Sequence, residues 1–472
     1  MSDYLYQQLI DDLTEEIRTG QRSVGERMPS VRGLSLERKL SKSTILAAYD
    51  RLEADGLISA RPRSGYYVNA PQPADTLLVK MPSISQPEAT PLPVTAGQVL
   101  IDIMDRGAAF DIISAQDSTP GNEALRRCLA RALRRQTNQE QLNYDEPAGL
   151  PVLRELLAQR LGLAGSRVSS DDLIITSGCQ NALLLALMAT TQRGDVVAVE
   201  SPGFYGIFQL LEALGLKVLE LPSSSEQGLS PEALELALQH WDIKALVVSP
   251  CYSTPTGGSM PDAHKQRILE LAQSRAIPII EDDIYGELGF GESRPRTLHS
   301  YDSSGSVLLC SSVSKSLSRD LRIGWIAPGK YRDRVKQLKL VTSLSSCQAQ
   351  QRGLAYFLEE GSFDRHLRLR RQQLRQQYQQ LLELIRLHLP MSESCSRPQG
   401  GLSLWLELPE SVDTLKLYHR ALKEGLVLTP GRLFTVQERY RNALRISYAH
   451  PWTDQRVKAL AALGALLQGG GE

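Results

Sequence analysis

The chain has 472 residues, of which 42% are hydrophobic and 22% charged, and its 53 basic side chains match 53 acidic ones. This length and composition suit two or three domains with real cores and exclude a collagen-like, mucin-like or wholly disordered protein. The formal net charge of zero argues against indiscriminate binding of polyanions.

The cysteines and the N-terminus indicate an intracellular, cytoplasmic protein. The cysteines lie far apart and form no CxxC pair, which favours reduced thiols, so no disulfide framework and no metal site are predicted. The first residues are acidic, unlike the basic start of a signal peptide. No apolar run reaches the length needed to cross a bilayer, and no membrane partner is expected.

Residues 1–70 predict a small module of three helices followed by a β-hairpin. The first helix has an apolar stripe that repeats every fourth residue, formed by Leu5, Leu9, Leu13 and Ile17. The segment 41–44 offers N-cap chemistry for the third helix, in which Ile45, Tyr49 and Leu52 share one face. Two β-like runs flank the basic turn 61–65.

Charge divides this module into two sides. Residues 1–19 carry one basic and five acidic groups, whereas residues 20–69 carry nine basic and five acidic groups. A helix with short polar outward residues beside a basic turn suits a DNA major groove with its flanking phosphates. A small helical interaction domain with a solvated charged surface is the alternative that charge and periodicity leave open.

Residues 71–97 are rich in proline and show no periodicity, which is typical of a semi-rigid linker that could reach roughly 90 Å if fully extended. Beyond it, in residues 98–472, short apolar runs alternate with helical segments, which indicates an α/β fold with a parallel sheet covered on both faces. The Arg- and Gln-rich stretch 364–388 is interpreted as a solvated helix rather than a nucleic-acid patch.

Lys315 is the first candidate for chemistry, because it follows an apolar run and lies among serines. A buried lysine near cationic groups such as Arg322 loses its proton easily and can condense with an aldehyde as a Schiff base. The ordinary alternative is a surface lysine at the start of a helix.

Two further segments carry polar groups at places where α/β ligand sites form. Asp282 ends an apolar strand, where a carboxylate could keep a pyridine nitrogen protonated, and Tyr285 could reach a phenolic oxygen. The junction 176–181 joins a strand to an apolar helix, whose N-terminal N–H groups could hold a phosphate. Taken singly, an aspartate in this position is more often a helix N-cap. Small polar residues are also common at junctions between a strand and a helix.

The N-terminal module resembles the winged helix-turn-helix of GntR-type bacterial regulators over essentially all of residues 1–69. The resemblance lies in three segments, GERMPSVR at 25–32, LSKSTI at 40–45 and LEADGLI at 52–58. It implies binding of a double-stranded DNA operator, with the third helix in the groove and the hairpin as the wing. The DNA-binding residues that it implies, at phosphates and at the groove-facing helix start, are Arg32, Lys42, Ser43, Thr44, Arg61 and Arg63.

The rest of the chain resembles fold-type I pyridoxal-phosphate (PLP) enzymes, the aspartate-aminotransferase fold, over residues 100–470. The motifs occur in one order, from SGCQ at 177–180 through EDDIYGEL and SSVSK to LRISYA. The resemblance implies that Lys315 is the Schiff-base lysine, that Asp282 pairs with the pyridine nitrogen and that Tyr285 contacts the ring hydroxyl. The other cofactor-binding residues that it implies are Gly178, Cys179, Gln180, Phe204, Thr254, Ser312, Arg322 and Tyr144.

Among these, Tyr144 resembles the tyrosine that reaches the phosphate of the neighbouring subunit, which implies a homodimer. Arg445 matches the arginine that holds the α-carboxylate of an amino acid, a task that suits a bidentate guanidinium. Two departures stand out. Thr254 replaces the usual asparagine and loses the donors of the amide, and Arg319 and Asp320 stand where the family often has Pro-Gly.

The order of module, linker and large domain resembles the MocR subfamily of GntR regulators over almost the whole chain. The resemblance implies a PLP-dependent transcriptional regulator that senses an amino acid or related amine, provided the ligand favours one arrangement of the protein over another. An active aminotransferase with a secondary DNA-binding module is the alternative, since its catalytic groups are present. A fusion of inactive domains would require missing groups, and none is missing.

Overall fold

The computed structural model describes residues 2–54, 57–61, 64–69, 80–87, 90–93, 98–114, 122–291 and 293–468. The chain forms two compact units, Met1–Leu78 and Val79–Glu472. None of the described helices is both long and apolar enough to cross a lipid bilayer.

The first unit contains three helices and one antiparallel hairpin among its described residues. Its elements are α1 (Ser2–Arg18), α2 (Val31–Arg38), α3 (Lys42–Ala54), β1 (Ile58–Arg61) and β2 (Gly65–Val68). The hairpin pairs Ile58 with Val68, which confirms the predicted strands with a shift of one residue at each. The predicted face of α3 is also confirmed, because Ile45, Tyr49 and Leu52 are fully buried against Leu13 and Leu34.

The second unit has two sheets in the part of the chain that is described. Its strands are β3 (Leu92–Pro93), β4 (Ile174–Thr176), β5 (Val196–Ser201), β6 (Lys217–Ser224), β7 (Gly228–Leu229), β8 (Ile243–Val248), β9 (Ile279–Asp282), β10 (Val307–Ser312), β11 (Gly324–Ala327), β12 (Ser394–Cys395), β13 (Ser403–Glu407) and β14 (Ala443–Ser447).

Helices cover these sheets and connect their strands. They are α4 (Gln98–Asp105), α5 (Glu123–Arg134), α6 (Asn138–Leu142), α7 (Pro151–Leu163), α8 (Cys179–Thr190), α9 (Tyr205–Leu214), α10 (Pro231–His240), α11 (Asp262–Ser274), α12 (Arg332–Ser343), α13 (Gln348–Glu359), α14 (Ser362–His388), α15 (Thr414–Lys423) and α16 (Asp454–Gln468). As expected, 364–388 is helical, but α14 buries one apolar face that includes Leu374 and Leu381.

The large sheet has the strand order β3-β6-β5-β8-β9-β10-β11-β4, with β7 added to β6, within the described residues. Its centre is parallel, from β6 through β5, β8 and β9 to β10, as the apolar runs predicted. One margin is antiparallel, because β11 runs antiparallel to both of its neighbours, β10 and β4. The sequence did not indicate this antiparallel margin. Parallel strands end at one edge of a sheet, and ligand sites of α/β proteins lie outside that edge.

The small sheet is antiparallel, in the order β12-β13-β14. Trp405 in β13 lies opposite Arg445 in β14, so this sheet holds in place the arginine that the sequence singled out. Both residues are buried.

Part of the stretch predicted as linker packs on the second unit. β3 pairs with β6 through Leu92 and Val218, and the carbonyl of Lys80 accepts a hydrogen bond of 2.8 Å from the Cys395 amide. Ser85 is buried and donates its hydroxyl proton to the carbonyl of Ser201 at the end of β5. Residues 80–87 and 90–93 are therefore built into the second unit.

Candidate functional site

A cavity with about 470 Å³ of empty space lies at the carboxyl edge of the large sheet. Nine of its twelve lining residues are predicted cofactor residues, and Leu183, Ile284 and Ser314 complete the lining. The predicted residues that line it are Cys179, Gln180, Phe204, Thr254, Asp282, Tyr285, Ser312, Lys315 and Arg322. The structure thus brings together side chains that are spread over more than 140 positions of the chain.

Lys315 lies in the loop between β10 and β11, with its ammonium nitrogen 4.0 Å from the centre of the Phe110 ring. Burial and the positive charges of Arg319 and Arg445 lower its pKa to about 7, although Asp282 opposes the shift. A large fraction of Lys315 is therefore an unprotonated amine at neutral pH, which is the nucleophilic form of a lysine.

Asp282 is the last residue of β9 and is buried at the floor of the cavity. The thiol of Cys179 donates a hydrogen bond to its carboxylate at 3.2 Å. Burial raises the pKa of Asp282 to about 6, partly offset by that hydrogen bond, so the group is mostly ionised at neutral pH. Neighbouring Asp283 is occupied by an ion pair with Arg294, which leaves Asp282 to face the cavity.

The start of α8 forms an anion cradle at the same cavity. Gly178 caps this helix with a φ of 85°, and a Cβ atom added there would lie 2.6 Å from an Arg322 guanidinium nitrogen. Arg322 donates to the carbonyl of Ser177 at 3.0 Å and to the hydroxyl of Ser314 at 3.4 Å. Helix N–H groups, hydroxyls and a guanidinium that converge in this way suit a phosphate group.

The side walls of the cavity are aromatic and polar. Phe204 caps α9, and Gln180 donates to the carbonyl of Gly206 at 2.9 Å. Burial raises the pKa of Tyr285, so its hydroxyl keeps its proton. The hydroxyl of Thr254 is buried beside that of Tyr285, and their interaction partly offsets the rise in the pKa of Tyr285.

Arg445 in β14 does not line the cavity itself but lies beside Phe110, with its guanidinium carbon 4.9 Å from the ring centre. One of its terminal nitrogens donates to the carbonyl of Ala109 and, at 3.3 Å, to the hydroxyl of Thr429. Its Nε and its other terminal nitrogen are buried and lack partners within the described part of the chain. Unpaired donors on a buried guanidinium favour an anionic ligand such as a carboxylate.

Two predicted cofactor residues do not line the cavity: Gly178, which caps α8 beside it, and Tyr144. Tyr144 follows α6, and 80% of its surface is exposed. Conversely, sequence reasoning missed Phe110, which is 3% exposed and lies beside Lys315 and Arg445. No motif surrounds Phe110, whereas Ser314 could have been found because it belongs to the serine-rich run before the lysine.

In the first unit, Arg32, Lys42 and Ser43 are exposed near the starts of α2 and α3, and Thr44 is half-buried. The hydroxyl of Ser41 accepts the Thr44 amide at 3.1 Å, which confirms the predicted N-cap of α3. The other two predicted DNA-binding residues are Arg61 and Arg63. Arg63 and the side chain of Arg61 lie outside the described residues.

The acidic face of α1 pairs with basic residues of the same unit. Arg38 in α2 binds Asp12 at 3.3 Å and Glu16 at 2.6 Å, and Arg22 binds Glu16 at 2.7 Å. Arg22 and Arg38 are therefore neutralised within the unit, whereas Arg32 and Lys42 are among the exposed cations.

Comparisons with known proteins agree with both units. Residues 116–463 match aminotransferase class I and II, and residues 5–68 match bacterial regulatory proteins of the gntR family. Two Escherichia coli K12 proteins described as HTH-type transcriptional regulators are similar: YjiR is 42% identical over 97% of this chain and 98% of its own, and YdcR is 34% identical over 98% and 99%.

Among solved structures, LysN from Thermus thermophilus superposes with a TM-score of 0.70 and 28% identity, over 79% of this chain and 95% of its own. That protein is described as an alpha-aminoadipate aminotransferase and was solved in complex with N-(5'-phosphopyridoxyl)-L-leucine. The second unit is thus a fold-type I aminotransferase domain, and it follows a winged helix-turn-helix. The chain belongs to the GntR-type transcriptional regulators of MocR-like architecture.

Proposed function

We propose that this protein is a cytoplasmic, homodimeric, PLP-dependent regulator of transcription that senses an amino acid through its second unit. The observation that carries the proposal is the single cavity in which nine predicted cofactor residues meet, within a chain whose first unit is a winged helix-turn-helix. The similar regulators and the cofactor-bearing structural neighbour support it.

The cavity fits PLP by three independent features. The start of α8 and Arg322 would hold the phosphate. At position 178 this cradle has room for a glycine but not for a Cβ atom. Asp282 would hold the pyridine nitrogen protonated, and the Tyr285 hydroxyl, which keeps its proton, would contact the ring hydroxyl. When bound, PLP supplies an aldehyde that attaches to an amine and a ring that withdraws electrons.

The residues of the chain would then divide the work of sensing. The amine of Lys315, largely unprotonated at neutral pH, holds the cofactor until an incoming amino group replaces it. Arg445, which has unpaired donors among the described residues, binds the effector's α-carboxylate and orients the amino group. Phe110 is buried beside both Lys315 and Arg445 and would shield this side of the site from water.

The dimer is proposed from Tyr144. Its side chain is exposed and outside the cavity of its own chain, as expected of a residue that reaches the phosphate of a neighbouring subunit. A dimer would carry two DNA-binding units and read an operator with two half-sites.

Selection of DNA from a random library with the cofactor-loaded protein tests the proposal. We expect one enriched sequence with two half-sites and a change in its affinity when an amino acid is added. The same amino acid, incubated alone with the protein and excess PLP, should yield little keto acid. Steady formation of keto acid without any sequence-selective DNA binding would instead establish the aminotransferase alternative.

Salt dependence of DNA binding tests the assignment of Lys42. Each phosphate neutralised contributes about 0.9 to the slope of log affinity against log salt. Lys42→Ala should therefore weaken binding to every sequence and reduce this slope by about one, whereas Ser43→Ala should change sequence preference more than slope. Fluorescence anisotropy at several salt concentrations measures both effects.

Lys458→Ala provides the matched control, because Lys458 is an exposed lysine in α16 of the second unit. Its removal changes net charge equally but should leave the slope unchanged. Equal slopes for the wild-type protein and Lys42→Ala would contradict a phosphate contact at Lys42.

A further inference from the structure

Three cationic groups converge on the ring of Phe110 at the effector side of the cavity. The Lys315 nitrogen lies 4.0 Å from the ring centre, and the guanidinium carbons of Arg319 and Arg445 lie 4.7 Å and 4.9 Å from it. Proposed roles exist for Lys315, which holds the cofactor, and for Arg445, which holds the α-carboxylate. The third cation, Arg319, has no task in that scheme.

Arg319 also lacks a partner of opposite charge. Among the described residues no carboxylate forms an ion pair with it within 4.0 Å. Asp111 is the carboxylate whose charge acts on the pKa of Arg319. It is already bound by Arg456, which donates two hydrogen bonds of 2.9 Å and 2.6 Å to it. No carboxylate of the described residues therefore neutralises the Arg319 guanidinium, which is open to an anionic ligand.

The surroundings of Arg319 add positive charge rather than remove it. The pKa of Arg370 is lowered to about 10, mainly by burial and in second place by the positive charge of Arg319. Burial lowers the pKa of His450 to about 4, and Arg319, Arg370 and Arg456 contribute to that shift, although Asp111 opposes it. Uncompensated cations repel one another, so an anion bound here would relieve an existing repulsion.

We propose that Arg319 selects the effector by its side chain and that the effector is an amino acid carrying a second anionic group. This inference rests on the proposed function, since Arg445 must hold the α-carboxylate. Both guanidinium carbons lie within 4.9 Å of one ring centre, so they are less than about 10 Å apart. A guanidinium and a carboxylate in contact place their central carbons about 4 Å apart, so the two carboxylates of one short diacid can contact both arginines from the same side.

The position of Arg319 explains why this selectivity would be specific to the chain. The family that it resembles often has Pro-Gly where this chain has Arg319 and Asp320, and neither proline nor glycine binds an anion through its side chain. Arg319 is exposed and Lys315 only partly so, so Arg319 would meet the distal end of an effector whose amino end has reached Lys315. Arg319 is therefore a specificity-determining residue, while Lys315 and Arg445 recognise the parts common to all amino acids.

Titration of the cofactor-loaded protein with L-glutamate and L-glutamine tests this inference. The two probes have nearly the same size and differ in the charge of the side chain, and the cofactor's absorption spectrum reports their binding. We expect the wild-type protein to bind glutamate about tenfold or more tightly than glutamine, in line with a charge-assisted hydrogen bond. In Arg319→Gln this preference should disappear through weaker glutamate binding, with glutamine affinity unchanged.

Arg319→Lys and Arg126→Gln complete the series. The lysine variant keeps the charge and should retain part of the preference, which rules out a folding defect as the cause of the loss. Arg126 is an exposed residue of α5, 70% exposed in its side chain, and its replacement should change neither affinity. Equal glutamate preference in wild-type protein and Arg319→Gln overturns the inference, and so does a wild-type protein that binds both probes equally.

These outcomes are distinguishable from failure of the proposed function. If both probes shift the spectrum equally, the protein still senses amino acids, and only the role of Arg319 is lost. If neither probe nor any other amino acid shifts it, the sensing function fails, and the inference that depends on it fails too.

Discussion

Replacing Lys315 with alanine is expected to leave a folded protein that no longer holds its cofactor covalently. Lys315 is the amine that lines the cavity, and its pKa of about 7 makes it nucleophilic at neutral pH. Borohydride reduction followed by mass spectrometry should show PLP fixed to Lys315 in the wild-type protein. The same treatment should give no adduct in the cavity of Lys315→Ala, which would release PLP on dialysis.

The pH dependence of PLP attachment to Lys315 follows from the lowered pKa of this lysine. Burial lowers the pKa of Lys315 from the ordinary value of 10.5, so the neutral amine already predominates above about pH 7. The rate of PLP attachment should rise as pH increases through 7 and then level off, whereas an exposed lysine would keep gaining up to about pH 10. Lys458→Ala is the control and should behave as wild type. A trapped adduct at the cavity of Lys315→Ala would assign the attachment to another lysine.

Arg445→Ala should weaken the response to amino acids by roughly ten- to a hundredfold, because a charge-assisted pair contributes about 1.5–3 kcal/mol. Arg445 has two buried donors without partners among the described residues, which favours an anionic ligand at this guanidinium. The measurement compares alanine with ethylamine, its decarboxylated counterpart, by the concentration of each that shifts the cofactor's absorption spectrum. In the wild-type protein alanine should act at far lower concentration than ethylamine.

In Arg445→Ala the effective concentrations of alanine and ethylamine should become similar, since the variant has lost the group that distinguishes them. Arg445→Lys should recover little, because an ammonium does not reproduce the bidentate geometry of a guanidinium. Arg126→Gln should leave both concentrations unchanged. Equal responses to alanine and ethylamine in the wild-type protein would contradict carboxylate recognition by Arg445.

The sequence predicted well those features that depend on local pattern. Apolar runs gave the parallel centre of the sheet, and the motifs around Asp282 and Lys315 gave most of the cavity, because each motif lies directly at a strand end. Pattern did not predict the antiparallel pairing of β11, since the direction of a strand depends on where the chain returns. It also missed Phe110, which lies near Lys315 through folding across 205 positions of the chain.

The segment anchored by Ser85 and Lys80 changes how far each DNA-binding unit can travel. The Asn69 amide is bound to Leu57 within the first unit, and the Lys80 carbonyl is bound to Cys395 within the second, so ten residues, 70–79, join them. Ten residues span at most about 36 Å, close to one helical turn of B-DNA, rather than the roughly 90 Å of a 27-residue linker. In the proposed dimer, such short tethers make operator phasing matter. Five added base pairs between the half-sites would turn one of them to the opposite face of the duplex, and affinity should fall, whereas ten added base pairs restore the face and only lengthen the path.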